Sequence, residues 1–224
     1  MKVSLIIPTL NEKENISKLI PQVCKFLPKG SEVIVVDDNS KDKTADEVRK
    51  LSKKYPVKVF VRYERGLSGA VIYGFDKAKN DYLGVMDADL SHPPETLPAL
   101  INALNEADIT VGSRYMPGGG VEEWPFVRRM ISKGATLMAR PLTRVKDPMS
   151  GFFFLRKAVI AGKDLKPKGY KILLEILVKG TYSKVTEVPF MFRNRNVGKS
   201  KMTLKTWRHY VEHLFSLYVY RWTK

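Results

Sequence analysis

The chain is poor in the residues that build soft-metal and redox chemistry, with one cysteine, Cys24, and three histidines in 224 residues. A lone thiol excludes an internal disulfide and a cysteine-built metal site, and it suits a reducing compartment. No run approaches the ~18 apolar residues of a membrane-spanning helix. Met1-Lys2 passes straight into a short strand-like segment with no leader pattern. The expectation is a chain that starts in the cytoplasm and does not itself span a membrane. There is also no Walker A loop, no G-x-G-x-x-G fingerprint, no H-E-x-x-H and no G-x-S-x-G, which weakens kinase, dehydrogenase and serine hydrolase readings. Internal repeats and low-complexity tracts are absent as well.

Acidic charge is the last shortage. Against 39 Lys and Arg stand 23 Asp and Glu, a formal +16. Residues 124–146 hold six basic and no acidic side chains, and residues 190–224 hold eight basic and one acidic. Most of the surplus therefore lies in two windows, while the remainder of the chain is nearly balanced. Such a field attracts a polyanion, an anionic membrane surface or a phosphorylated substrate. The 44% apolar fraction and the chain length point to one folded domain, since domains run about 100–200 residues.

Short apolar, β-branched runs alternate with helix-like stretches in the first half, the pattern of βαβ units on a mainly parallel sheet flanked by helices. Strands are expected at Val3 to Pro8, Val33 to Asp38, Val57 to Val61, Tyr82 to Asp87 and Ile109 to Gly112, then at Phe152 to Leu155 and Val185 to Pro189. Helices are expected from Asn11 to Phe26, with Asn11 and Glu14 as a capping box, at Thr44 to Tyr55, at Ser68 to Ala78, after Pro93-Pro94, from about Phe126, and at Lys171 to Lys179. Pro117 to Gly120 reads as a flexible loop. In the last segment Leu204, Trp207, Val211, Leu214, Tyr218 and Trp222 recur at helical spacing. With Lys205, Arg208, Arg221 and Lys224 beside its aromatics, this stretch matches a helix lying in a membrane interface; a terminal helix docked on the core satisfies the same periodicity. The expected division is a domain at 1–200 and an interfacial helix at 201–224.

Ligands of open α/β sheets bind beyond the carboxyl ends of the strands. Three such ends are acidic: Pro8 to Glu12, Asp37-Asp38, and Asp87-Ala88-Asp89. The third delivers two carboxylates at i and i+2, hard oxygen ligands suited to Mg²⁺ or Mn²⁺ on nucleotide phosphates. A single D-x-D is also explained by turn chemistry, and the second acidic end raises it above that reading. His92 reads as a helix-entry residue before Pro93-Pro94.

Pro8-Thr9-Leu10-Asn11-Glu12, Val36-Asp37-Asp38-Asn39-Ser40, Asp87 to Pro94, Gly112-Ser113-Arg114-Tyr115, Val188-Pro189-Phe190 and Gly198-Lys199-Ser200-Lys201 together resemble the dolichol-phosphate mannosyltransferases, in order along nearly the whole chain. The resemblance implies a Rossmann-like glycosyltransferase A-type domain, a GDP-mannose or other NDP-sugar donor, a divalent cation (Mg²⁺ or Mn²⁺) and a dolichyl or other polyprenyl phosphate acceptor. It places base and ribose on Pro8, Leu10, Glu12, Val36 and Asp38. It puts diphosphate and metal on Asp87, Ala88 and Asp89, with Ser91 as a further metal contact. Asp89 and Arg114 take the catalytic roles, Arg195 and Lys201 close over the donor phosphates, and Arg114, Arg128 and Ser132 hold the acceptor phosphate. Leu10 replaces a common Tyr, and Lys199 a common Glu.

A phosphate acceptor needs no strong general base, so direct attack with inversion and a β-linked product is expected. Peripheral association with the cytoplasmic face of a membrane goes with this reading, as does a small membrane subunit in some relatives. Alternatives are a UDP-glucose donor, a nucleotidyltransferase, or a basic nucleic-acid-binding module. The last is disfavoured, because the aromatics fall on the terminal stripe and in runs such as Phe152 to Phe154 instead of interleaving with basic residues on a sheet face.

Overall fold

The computed structural model describes residues 1–166, 171–194 and 204–223, the last segment with side chains from Arg208 onward. In chain order the strands are β1 (Val3–Thr9), β2 (Glu32–Asp37), β3 (Val57–Val61), β4 (Tyr82–Val85), β5 (Ile109–Ser113), β6 (Gly120–Val121), β7 (Phe153–Arg156), β8 (Val185–Pro189) and β9 (Met191–Phe192). The helices are α1 (Lys13–Phe26), α2 (Thr44–Leu51), α3 (Leu67–Lys77), α4 (Leu97–Ala103), α5 (Phe126–Ala139), α6 (Ile172–Lys179) and α7 (Leu204–Trp222).

Seven strands form one sheet in the order β3-β2-β1-β4-β7-β5-β8, and β6 pairs with β9 as a small second sheet. In the main sheet β7 runs antiparallel to both neighbours, while the other pairings are parallel. Every residue of β1 is buried, as a parallel strand covered on both faces demands. Alternation sorts the side chains. Leu5, Ile7, Val33 and Val35 pack under α1, α2 and α4, whereas Ile6, Ile34 and Val36 pack under α3 and α6. The run Phe152-Phe153-Phe154 is divided the same way, Phe152 and Phe154 to the first face and Phe153 to the second. Gly84 opposes Phe154 across the β4–β7 pair. A Cβ there would stand 2.2 Å from the ring, so only glycine lets the antiparallel strand enter the sheet.

Several boundaries differ from expectation. The N-cap of α1 is Glu12, without a side-chain cap bond. Asn11 has a positive φ of 59° and accepts a hydrogen bond from the Lys41 N–H instead, so the capping box does not form. Helix α2 stops at Leu51, and Gly120 belongs to β6 instead of a loop.

Helix α6 is buried from Ile172 to Val178, because the sheet covers one side and α7 another. Its Glu175 accepts from the Lys166 N–H at 2.8 Å and Lys179 at 2.5 Å, and lies 3.3 Å from His213 Nε2 of α7. Those partners hold Glu175 below the usual carboxylate range although burial works the other way. The terminal stripe is rotated from its expected position. His213, Leu214 and Leu217 are buried, Tyr210 and Tyr218 donate to Ala135 O and Met138 O of α5, and Val211, Phe215, Val219 and Trp222 are exposed. Leu204 and Trp207 lie outside the described side chains. Among the described residues no helix is long and apolar enough to cross a membrane.

Candidate active site at the carboxyl ends of the strands

The chain leaves the sheet just after β4, and Met86 N–H still donates to Ile6 O at 3.1 Å. Asp87 therefore emerges at the carboxyl edge, part-exposed, with Asp89 buried beside it. Asp89 Oδ1 accepts from the Ser91 N–H at 3.1 Å and from the Ser91 hydroxyl. Leu90 between them has a φ of +62°, a conformation that a bulky residue holds only where its surroundings impose it. The Arg193 N–H donates to Ser91 O at 3.0 Å, tying this turn to the chain beyond β9.

His92 is buried, stacked on Phe152 at 4.9 Å and edged by Phe190 and Phe192. Its Nδ1 accepts from the Asp87 N–H at 3.1 Å, which leaves Nε2 to carry the proton in the neutral ring, 3.8 Å from the Asp87 carboxylate. His92 thus positions Asp87 and is more than a helix-entry residue. Gly151 approaches from the β7 side, where an added Cβ would meet both Asp87 oxygens at 3.1 Å. Two carboxylates and the Ser91 hydroxyl offer hard oxygens to a divalent ion. No three His, Cys, Asp or Glu side chains converge among the described residues, so phosphate oxygens would have to complete the coordination, as is usual for Mg²⁺. The donor set fits such an ion.

The expected base and ribose residues gather at the ends of β1 and β2. Pro8 and Val36 face each other in the strand register, and Val36 keeps its side chain in the core. Leu10 is half-buried, and Glu12 accepts from Asn15 Nδ2 at 2.7 Å while its N–H donates to the Thr44 hydroxyl. The two aspartates at the end of β2 divide their work. Asp37 is spent on Thr9 and Ser40. Asp38 Oδ2 accepts from the Gly66 N–H at 2.8 Å, and its Oδ1 lies 3.8 Å from Arg62 Nη1. Asp38 Oδ1 and Arg62 Nη1 are both buried without a hydrogen-bond partner, whereas buried polar atoms are normally paired. Burial raises the Asp38 pKa, opposed by the Gly66 N–H and Arg62.

On the opposite side of the cleft, Arg114 directly follows β5 and is gripped by Asp147. Its Nε and Nη2 each donate at 2.7 Å, and its backbone N–H donates at 3.0 Å. Asp147 is wholly buried, and its N–H is in turn held by Glu187 of β8. The Arg114 guanidinium also stands 5.5 Å from the centre of the Trp124 ring, and Arg128 of α5 lies over that ring at 4.0 Å. Ser132, one turn further along α5, exchanges a 2.8 Å hydrogen bond with the Tyr115 hydroxyl. Arg114 and Arg128 are thus brought together at the Trp124 ring, and Ser132 is joined to Tyr115, the neighbour of Arg114. Lys171, just before α6, donates to Met149 O at 3.1 Å. Burial and the nearby Arg114 charge push its pKa down to about 8, against the pull of Asp147 and Asp87. Arg195 and Lys201, expected over the donor phosphates, lie outside the described residues.

The residues missed from sequence were Arg62, Trp124, Asp147, Gly151 and Lys171. Arg62 alone carried a usable signal, since it directly follows a strand of the same parallel series.

The glycosyl transferase family 2 model matches residues 4–162. The dolichol-phosphate mannosyltransferase of Pyrococcus furiosus is 54% identical over 97% of this chain, and the chain spans 64% of that protein's length. The Saccharomyces cerevisiae dolichol-phosphate mannosyltransferase is 43% identical over 99% of this chain and 88% of its own. A polyprenol monophosphomannose synthase of Mycolicibacterium smegmatis is 36% identical over 89% of this chain and 80% of its own. Among solved structures, glucosyl-3-phosphoglycerate synthase from Mycobacterium tuberculosis, crystallised with Mn²⁺, UDP-glucose and phosphoglyceric acid, superimposes with a TM-score of 0.71 at 16% identity, over 96% of this chain and 79% of that one.

Proposed function

The chain belongs to glycosyl transferase family 2, and from that premise we propose that it transfers mannose from GDP-mannose to dolichyl or a related polyprenyl phosphate, with inversion, to give a β-linked lipid-phosphate mannose. The observation that carries this reading is the likeness, over nearly the whole chain, to proteins named for that transfer. The geometry supports it by facing an acidic strand end with an arginine cluster across one cleft.

Asp38 and Arg62 suit a base that offers an N–H beside a carbonyl, such as guanine, whose O6 is a good guanidinium acceptor. Asp87, Asp89 and Ser91 would hold Mg²⁺ or Mn²⁺ against the donor diphosphate. When bound, that ion supplies Lewis-acid neutralisation of the leaving diphosphate. The acceptor phosphate is largely dianionic near neutrality, its second pKa being about 6. Arg114, Arg128 and Ser132 hold it against the repulsion of the donor, together with Arg195 and Lys201 in the family's arrangement. One of its oxygens attacks the anomeric carbon, and the bond from that carbon to the β-phosphate oxygen breaks, its electron pair leaving with GDP. No side chain has to remove a proton. Asp147 keeps the Arg114 fork in place, and Lys171 adds a cation beneath the phosphates.

The lipid acceptor calls for a membrane surface. The exposed apolar residues of α7, with Phe126, Val127, Met130 and Leu137 of α5, support peripheral attachment to the cytoplasmic face through an interfacial helix pair.

Incubation with a panel of labelled NDP-sugars and dolichyl phosphate, with and without divalent cation, tests the proposal. Label should enter the organic phase only from GDP-mannose and only with metal. Transfer from UDP-glucose alone, release of pyrophosphate, or an α-linked product would overturn it.

A further inference from the structure

A second basic cavity lies away from the strand ends, at the junction where α5 ends, the connector to β7 begins and α7 finishes. It has a volume of about 910 Å³, and Arg140, Arg144, Lys146 and Arg221 line it together with Leu177 and Tyr182. None of these four cations forms an ion pair among the described residues. The cavity's one lining carboxylate, Glu187, is already taken, because its two oxygens accept the backbone N–H groups of Lys146 and Asp147 at 2.8 and 3.1 Å. The site therefore gathers four cationic side chains against a single carboxylate and leaves all four without an ion-pair partner among the described residues.

Its surroundings identify the class of anion. The hydroxyl of Tyr218 donates to Met138 O at 2.6 Å and holds the ends of α5 and α7 together. Arg140 follows α5 directly, and Arg221 stands in the last turn of α7. Next to them Leu137 and Trp222 are 71% and 82% exposed. A small soluble anion would use only the cations, whereas a phosphodiester headgroup carrying acyl chains would use both the cations and the exposed apolar side chains that neighbour Arg140 and Arg221 in the chain. Its four cations are distinct from the expected acceptor residues, and Arg140, just past the end of α5, lies eight residues beyond Ser132, or about 12 Å along a helix at about 1.5 Å per residue.

We propose that this cavity is a headgroup site for an anionic phospholipid, which anchors and orients the α5–α7 face on the membrane independently of the acceptor. The proposal rests on the membrane-surface reading above, and the test separates the two. Flotation of the full chain is compared on phosphatidylcholine vesicles with and without phosphatidylglycerol. Wild-type protein should bind the anionic vesicles more tightly, and R140Q/R144Q/K146Q/R221Q should lose that increment by roughly tenfold or more. A charge-matched variant of four exposed lysines on the α1 and α2 side, K25Q/K29Q/K53Q/K54Q, should retain it. Turnover with a short water-soluble prenyl phosphate should be the same in all three proteins.

Equal flotation of the wild type on both vesicles, or an equal loss in the two variants, overturns the headgroup site while leaving membrane attachment standing. Failure of the wild type to float on either vesicle sinks the membrane reading too. Thermal stabilisation of the wild type but not R140Q/R144Q/K146Q/R221Q by glycerol phosphate, without any vesicle increment, would mean a soluble-phosphate site and also overturn the proposal.

Discussion

Asp147 and Arg114, 33 residues apart, form a buried bidentate pair with both side-chain hydrogen bonds at 2.7 Å. The guanidinium that would face the reacting phosphates in the proposed mechanism is therefore aimed by a carboxylate whose own backbone is fixed by Glu187. Removing one partner strands the other charge in a dry site, which typically costs about 3–5 kcal/mol. Asp147→Ala should lower the unfolding free energy by that order in urea titrations and abolish transfer. Arg114→Ala should cost stability as well as activity, so it is not a silent active-site knockout.

Asp89→Asn retains an oxygen for the Ser91 N–H while removing the charge. Its melting temperature should stay close to wild type. Transfer should fall by roughly a hundredfold or more, the scale of losing one preorganised electrostatic contact, and Mn²⁺ binding measured by calorimetry should weaken in parallel. Chelation of the wild-type protein should stop transfer, and added Mg²⁺ or Mn²⁺ should restore it. Metal affinity equal to wild type in the variant would remove Asp89 from the coordination shell.

Gly151→Ala probes the crowding beside Asp87. A methyl group arriving 3.1 Å from both carboxylate oxygens must displace Asp87 or the Gly151 backbone. The expected result is a loss of kcat with weakened metal affinity and a modest change in melting temperature. Wild-type kcat would show that the Asp87 carboxylate position is not critical.

Trp124→Ala removes the face on which Arg128 lies at 4.0 Å. Cation–π contacts contribute about 0.5–2 kcal/mol, so the KM for the prenyl phosphate should rise several-fold to tenfold while the KM for GDP-mannose changes little. Trp124→Phe should recover much of the difference. Equal effects on both substrates would assign Trp124 to general packing.

Lys171 supplies a pH dependence. Its folded pKa of about 8 lies below the ordinary lysine value of 10.5, so between these two pH values the unfolded chain binds the extra proton and stability rises with pH. If Lys171 stands beneath the donor phosphates as proposed, function should run the opposite way, because its charge is lost above about pH 8. The KM for GDP-mannose should climb through that range in the wild type, and Lys171→Met should start high and stay flat. A KM that tracks pH identically in both proteins would exclude Lys171 from donor binding.

Local pattern carries information where chemistry is set by neighbours along the chain. The βαβ rhythm, the buried β-branched strands and the aspartates at the ends of β2 and β4 were legible because period-two burial and strand termini are written in consecutive residues. The approach of Arg128 and Ser132 to Arg114 followed from family resemblance and not from spacing. What had no local signature was the partner: Asp147 sits in a loop, Lys171 at a helix entry, and Trp124 in a short link after β6. Each is tied to Arg114, which lies 33, 57 and 10 positions away respectively. The same holds for α7, whose periodicity announced an amphipathic helix but not which residues would be covered. That was decided by α5 and α6, where the two tyrosine anchors and the His213–Glu175 contact turn Leu214 and Leu217 inward and leave Val211, Phe215 and Trp222 exposed. Sequence by itself determined the layers and the acidic half of the cleft. Tertiary packing alone decided how the arginines are held and where the second cluster of cations is left unpaired, because a charge buried or stranded by distant elements leaves no mark on its neighbours in the chain.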